Sequence, residues 1–79
     1  MAERKTNSDR IMRIYDLCKE HFGEVLFVGV KYHAKVGWIA KVQFDGDFEN
    51  LTADGGSAEE ALKKLKNRVK KIMRRYNGV

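Results

Sequence analysis

The sequence has no proline, one cysteine (Cys18) and no apolar run longer than the four residues Val25-Leu26-Phe27-Val28. Without proline there is no proline-rich recognition segment and no stiff linker to divide the chain. A lone cysteine builds neither a disulfide framework nor a thiolate metal cluster. The longest apolar run is far below the roughly 20 residues of a membrane-spanning helix. Met1 to Arg10 lacks the apolar core of a secretory signal, so the chain reads as cytoplasmic and not membrane-bound. Internal repeats are missing too. So are acidic residues after Glu60.

Patterns that carry catalysis are equally scarce. There is no Ser-His-Asp order, nucleophile elbow, paired-carboxylate cleft or glycine-rich phosphate loop. His21 and His33 have no companions at metal-ligand spacing. Gly55-Gly56 precedes a helix start, where an anion is favoured, but Asp54, Glu59 and Glu60 crowd that spot with negative charge. The expectation is a protein that is not an enzyme and that takes no metal and no cofactor.

What remains is an ordinary globular composition of 79 residues and 9.1 kDa, with 43% hydrophobic and 34% charged residues. That is one domain. A chain of this size buries only about 60–65% of the surface its unfolded form exposes, so its core is small. The net charge is +5, from 16 Lys+Arg against 11 Asp+Glu, with a pI near 9.5. Residues 1–24 hold five bases and five acids, residues 25–56 three and four, and residues 57–79 eight and two. The first 56 residues therefore sum to −1 and the last 23 to +6.

Ile11, Ile14, Tyr15, Cys18 and Phe22 recur at helical spacing, with Met12 at the edge of the stripe and charges opposite. Thr6, Asn7 and Ser8 offer N-caps and Gly23 a C-terminal stop, so a helix is expected over 8–22, after a flexible leader over 1–7. Val25 to Tyr32 is rich in β-formers. Residues 33–37 read as a turn. Trp38 to Phe44 alternates, with Trp38, Ala40, Val42 and Phe44 on one face and Ile39, Lys41 and Gln43 on the other. Asp45-Gly46-Asp47 signals a tight turn, and Phe48 to Ala53 a third strand ended by Asp54-Gly55-Gly56. Ser57-Ala58-Glu59-Glu60 reads as a capping box. Ala58, Ala61, Leu62, Leu65, Val69, Ile72, Met73 and Tyr76 then form one apolar arc on a helix to about residue 76. The expected fold is α+β, in α-β-β-β-α order, with two helices on one face of a three-stranded antiparallel meander. The other face of the sheet is then open to solvent.

Two features invite a ligand. On the last helix, Lys63, Lys66, Lys70 and Arg74 fall within about 80° of one another at 100° per residue. Lys64, Arg68, Lys71 and Arg75 make a second row. Such rows neutralise phosphates; the plainer alternative is a solvated face of good helix formers. On the open sheet face, Lys31 and His33 stand near Ile39, Lys41 and Gln43, with Phe48, Asn50 and Thr52 beside them, a mixture suited to a groove or to base stacking. An ordinary polar sheet surface is the competing reading. Trp38 and Cys18 are read as core. An exposed third-strand edge offers a place for two copies to pair as a homodimer.

Three families come into view through these residues. Gly29-Val30-Lys31, Gly37-Trp38-Ile39-Ala40-Lys41-Val42, Leu51 and Ala58-Glu59-Glu60-Ala61 together resemble the Apetala-type DNA-binding domain and its relatives in phage integrases and endonucleases. That resemblance implies a sheet lying in the DNA major groove, with Lys31, Lys41 and Gln43 as readers. The second of those stretches, with Asp54-Gly55-Gly56-Ser57-Ala58-Glu59-Glu60-Ala61-Leu62, is similar to HicB-type antitoxins, which implies a module that binds and blocks another protein. In element order the chain also resembles the double-stranded-RNA-binding domain. The leading expectation is a small noncatalytic protein of a phage or mobile element that binds double-stranded DNA. Lys63, Lys66, Lys70 and Arg74 would contact phosphates, with Lys31, Lys41 and Gln43 on the open sheet. The alternative is a protein-binding inhibitor or antitoxin-like module acting on a protein target.

Overall fold

A computed structural model describes residues 6–46 and 49–77, the side chains of Tyr76 and Asn77 excepted. Its elements run α1 (Asn7–Phe22), β1 (Val25–His33), β2 (Gly37–Phe44), β3 (Leu51–Gly55) and α2 (Ala58–Asn77). The sheet order is β1-β2-β3 and both pairings are antiparallel. The fold is α+β, with both helices on one face of an open three-stranded sheet.

Capping explains where the helices begin. Thr6 Oγ1 accepts the Asp9 N–H and Asp9 Oδ2 accepts the Thr6 N–H, each at 3.1 Å. This reciprocal box starts α1 one residue ahead of expectation. The leader expected over 1–7 thus includes a cap and a helical residue, while residues 1–5 lie outside the described residues. Gly23, at φ 94°, ends α1 with its N–H on Lys19 O. At α2, Ser57 Oγ accepts the Glu60 N–H at 3.1 Å, but the Glu60 carboxylate takes the Gly56 N–H at 3.3 Å rather than that of Ser57.

Alternation along β2 puts Ala40, Val42 and Phe44 into the core, where they meet Leu62, Leu65 and Val69 of α2 and Ile14 and Cys18 of α1. Each fully buried Leu or Val contributes about 2 kcal/mol through lost apolar exposure. Trp38 packs half-buried at the margin of this core, edge-on to Tyr32 with ring centroids 5.4 Å apart. Cys18 is fully buried, and burial pushes its thiol up to about 11, so it stays protonated.

β1 and β2 each extend one residue further into their hairpin than expected, and Gly37 takes φ 99° at the turn. The third strand departs more. It spans Leu51–Gly55, not Phe48–Ala53. Phe48 and Asp47 lie outside the described residues, and Glu49 and Asn50 precede the strand. The register is fixed by Leu51 opposite Val42 and Ala53 opposite Ala40, which puts their side chains on the core face. Gly55 then closes the strand rather than the turn, because the backbone there runs against α2. A methyl group on it would stand 2.7 Å from Ala61 N. Among the described residues no helix is long and apolar enough to cross a membrane.

Candidate functional site

The sheet separates the seven sequence-derived site residues into two groups. Lys31, Lys41 and Gln43 lie on the open face, with Lys31 opposite Ile39, Lys41 opposite Gly29 and Gln43 opposite Phe27. Lys63, Lys66, Lys70 and Arg74 belong to α2, which packs on the other face. The two groups therefore lie on opposite faces of the sheet.

On the open face, Lys31, Lys41 and Gln43 do come together, around a shallow cavity of about 240 Å³ also lined by Phe27, Gly29, Val30 and Ile39. The Phe27 ring lies along its own strand over Gly29, where an added methyl would be 2.5 Å from Cζ. Glycine leaves the space that the ring fills. Phe27 remains 51% exposed, so the face has an aromatic plate bordered by two lysines. Thr52 joins this face opposite Lys41, and Asp54 opposite Ile39. Asn50, expected on the same face, precedes the strand and is exposed. His33 Nδ1 accepts the Lys35 N–H at 3.2 Å, which commits that nitrogen to the turn.

On α2, charge is arranged by the helix itself. Lys63 and Lys64 pair with Glu59 and Glu60 one turn back, at 3.0 and 3.2 Å, and Glu59 also receives Arg10 of α1 at 2.9 Å. The Lys64 hydrogen bond, then the one from Gly56, holds the Glu60 carboxyl below the usual glutamate range. Both acids of the helix are thus engaged in its first turn. Beyond it, Lys70, Lys71, Arg74 and Arg75 are all exposed, and Lys66 is half-buried. The basic stretch from Lys63 to Arg75 is about 18 Å long at 1.5 Å per residue.

The second row has a role that its sequence spacing did not disclose. Arg68 Nη1 donates to Thr52 O, at 3.2 Å, so α2 lies alongside β3. Between them runs a groove of about 630 Å³ lined by Thr52, Ala53, Asp54, Lys64, Asn67, Arg68 and Lys71. The helical period showed Lys64, Arg68 and Lys71 as a row; only the tertiary fold supplies β3 as the opposite wall. Asn67 falls between the two rows in helical angle, so its spacing carries no sign of the groove it lines. Among the described residues no three His, Cys, Asp or Glu side chains gather as a metal site.

Comparison with known protein families, characterised proteins and solved structures finds no match to this chain.

Proposed function

We propose that this is a small noncatalytic protein that binds double-stranded DNA through the phosphate backbone, with α2 as the contacting element. One observation carries the reading: α2 holds eight bases, and its two acids are both tied up in the first turn. Lys63, Lys66, Lys70 and Arg74 supply one row of phosphate contacts, and the groove beside β3 adds Arg68 and Lys71. A stretch of about 18 Å faces roughly five base-pair steps of 3.4 Å. Such a protein works in the cytoplasm, where a lone thiol such as Cys18 stays reduced.

Binding of a short duplex, followed across salt concentration, tests this. With these six phosphate contacts the log–log slope is about −5.4, and Lys66→Glu/Lys70→Glu lowers affinity about 100-fold near 50 mM salt. Lys31→Glu/Lys41→Glu, across the sheet, changes it by about threefold or less because screening mutes distant charges. Absence of binding near 50 mM salt sinks the proposal.

A second reading is favoured by the half-exposed Phe27 plate with Lys31 and Lys41. There the open face holds a protein target, in the manner of an inhibitor or antitoxin-like module. The same variants separate the two readings, since a protein held on the sheet is lost with Lys31→Glu/Lys41→Glu and kept with Lys66→Glu/Lys70→Glu.

A further inference from the structure

The two edges of the sheet are unlike. β3 is five residues long, ends in Asp54 and Gly55, and has Arg68 on its Thr52 carbonyl. β1 is nine residues long and contains no acid and no proline. Among the described residues no side chain is hydrogen-bonded to its backbone in the way Arg68 holds β3. Leu26, Phe27 and Tyr32 of this strand are 59%, 51% and 64% exposed. With only Lys31 and the irregularity between Val25 and Phe27 to blunt it, an edge of this length is a template for another strand.

The direction of its free groups follows from Arg68. Because the Thr52 carbonyl turns to Arg68, away from β2, Thr52 and its partner Lys41 form a non-hydrogen-bonded pair. The backbone groups of Lys41 therefore face β1 and bond Gly29. Alternation then directs Phe27, Gly29, Lys31 and His33 toward β2, and the N–H and C=O groups of Val28, Val30 and Tyr32 outward. The register slips only between Val25 and Phe27, so residues 27–33 form an unbroken edge centred on Val30.

We propose that two copies of the chain pair antiparallel through β1, across a two-fold axis at Val30, joining their three-stranded sheets into one. This register uses every outward group. Val30 bonds Val30 of the second copy, and Val28 bonds Tyr32 of the second copy in both directions, giving about six hydrogen bonds. Valine meets valine on the helix-covered side, a favourable β-branched pair. On the open side the one lysine of β1, Lys31, falls opposite Gly29 of the second copy and never opposite itself. The Phe27 ring that roofs Gly29 is then in reach of that ammonium, a cation–π contact. Such an edge buries little area, so association depends on concentration. This inference rests on the sheet edge and is independent of the DNA reading.

Sedimentation equilibrium of the full chain, from about 10 μM to 1 mM, reads the association. The average mass is expected to rise from 9.1 kDa toward twice that value. In a mixture of labelled and unlabelled chains, an isotope-filtered NOE is expected between the α protons of Gly29 and Lys31 of different copies. These form a non-hydrogen-bonded pair with α carbons about 4.5 Å apart. Tyr32→Pro removes an outward N–H and no ladder bond within the chain; with the wild-type circular dichroism spectrum retained, it is expected to weaken the dimer at least tenfold. A monomer at every concentration, or a dimer whose intermolecular NOEs arise elsewhere, for example along β3, overturns the proposal. The NOE decides the matter for the wild-type chain even if Tyr32→Pro does not fold.

Discussion

The two helices lie side by side on one sheet face, share one core and begin on similar caps, yet they differ in charge. α1 interleaves Asp9, Asp16 and Glu20 with Arg10, Arg13 and Lys19 and sums to zero; α2 sets eight bases against Glu59 and Glu60. Packing makes the same demand on both, an apolar stripe turned to the sheet. α1 meets that demand and stays in solvent with balanced charge. The excess on α2 is therefore not required by folding or by exposure, and α1 serves as an internal control for what the fold alone needs. That difference, more than the overall +5, supports a polyanion partner.

The largest effect comes from breaking what the helices share. Leu65 is fully buried between α2 and the sheet, and Leu65→Ala is expected to cost about 2–5 kcal/mol. A domain of 79 residues has only about 4–12 kcal/mol in total. Cys18→Ala removes a single sulfur from the α1 side and costs about 1–2 kcal/mol. Urea unfolding measures both. Equal costs would mean that the core is not centred on α2.

Charge reversal sharpens the comparison directly. Arg13→Glu/Lys19→Glu on α1 removes the same formal charge as Lys66→Glu/Lys70→Glu on α2. With α1 as a bystander, its variant weakens duplex affinity about fivefold or less, through the long-range field alone. If both pairs weaken binding equally, net charge and not the α2 surface governs it.

The elements that repeat a local period were legible in the sequence. Ile14 and Cys18 on α1, Ala40, Val42 and Phe44 on β2, and Leu62, Leu65 and Val69 on α2 are all buried as their spacing predicts. Boundaries set by contacts distant in sequence were not. Gly55 reads as a turn residue until Ala61 is seen pressing on it, and β3 shifts toward it accordingly. The candidate surfaces divide in the same way. Each row of bases is a helical period and could be counted, and the cluster of Lys31, Lys41 and Gln43 follows from strand alternation. That α2 and the open face are separated by the sheet was implicit in the element order, but the sequence reading still gave both to one ligand. The groove beside β3 and the Phe27 ring over Gly29 depend on which segments become neighbours, which no local pattern encodes.

The smallest expected effect lies in the caps, where the helices also differ. Asp9 closes the α1 box on the N–H of its own cap residue, whereas Glu60 reaches past Ser57 to Gly56 and is also hydrogen-bonded by Lys64. Glu60 is held below its ordinary pKa, chiefly by Lys64 and then by Gly56. A carboxylate depressed in the folded state adds stability above the ordinary glutamate range, and that stability is lost as pH falls through the lowered folded value. The group is fully exposed, so the contribution is screened and local. An NMR titration should therefore show the Glu60 carboxyl and the Gly56 amide moving together, with a midpoint below that of an ordinary glutamate. Lys64→Ala should raise the midpoint toward the ordinary value while the Gly56 amide still follows it. A midpoint indifferent to Lys64 would mean that the backbone cap alone holds the charge. Lys64 would then be free of Glu60 while Lys63 keeps its pairing with Glu59, and the charge contrast with α1 would begin at Lys64.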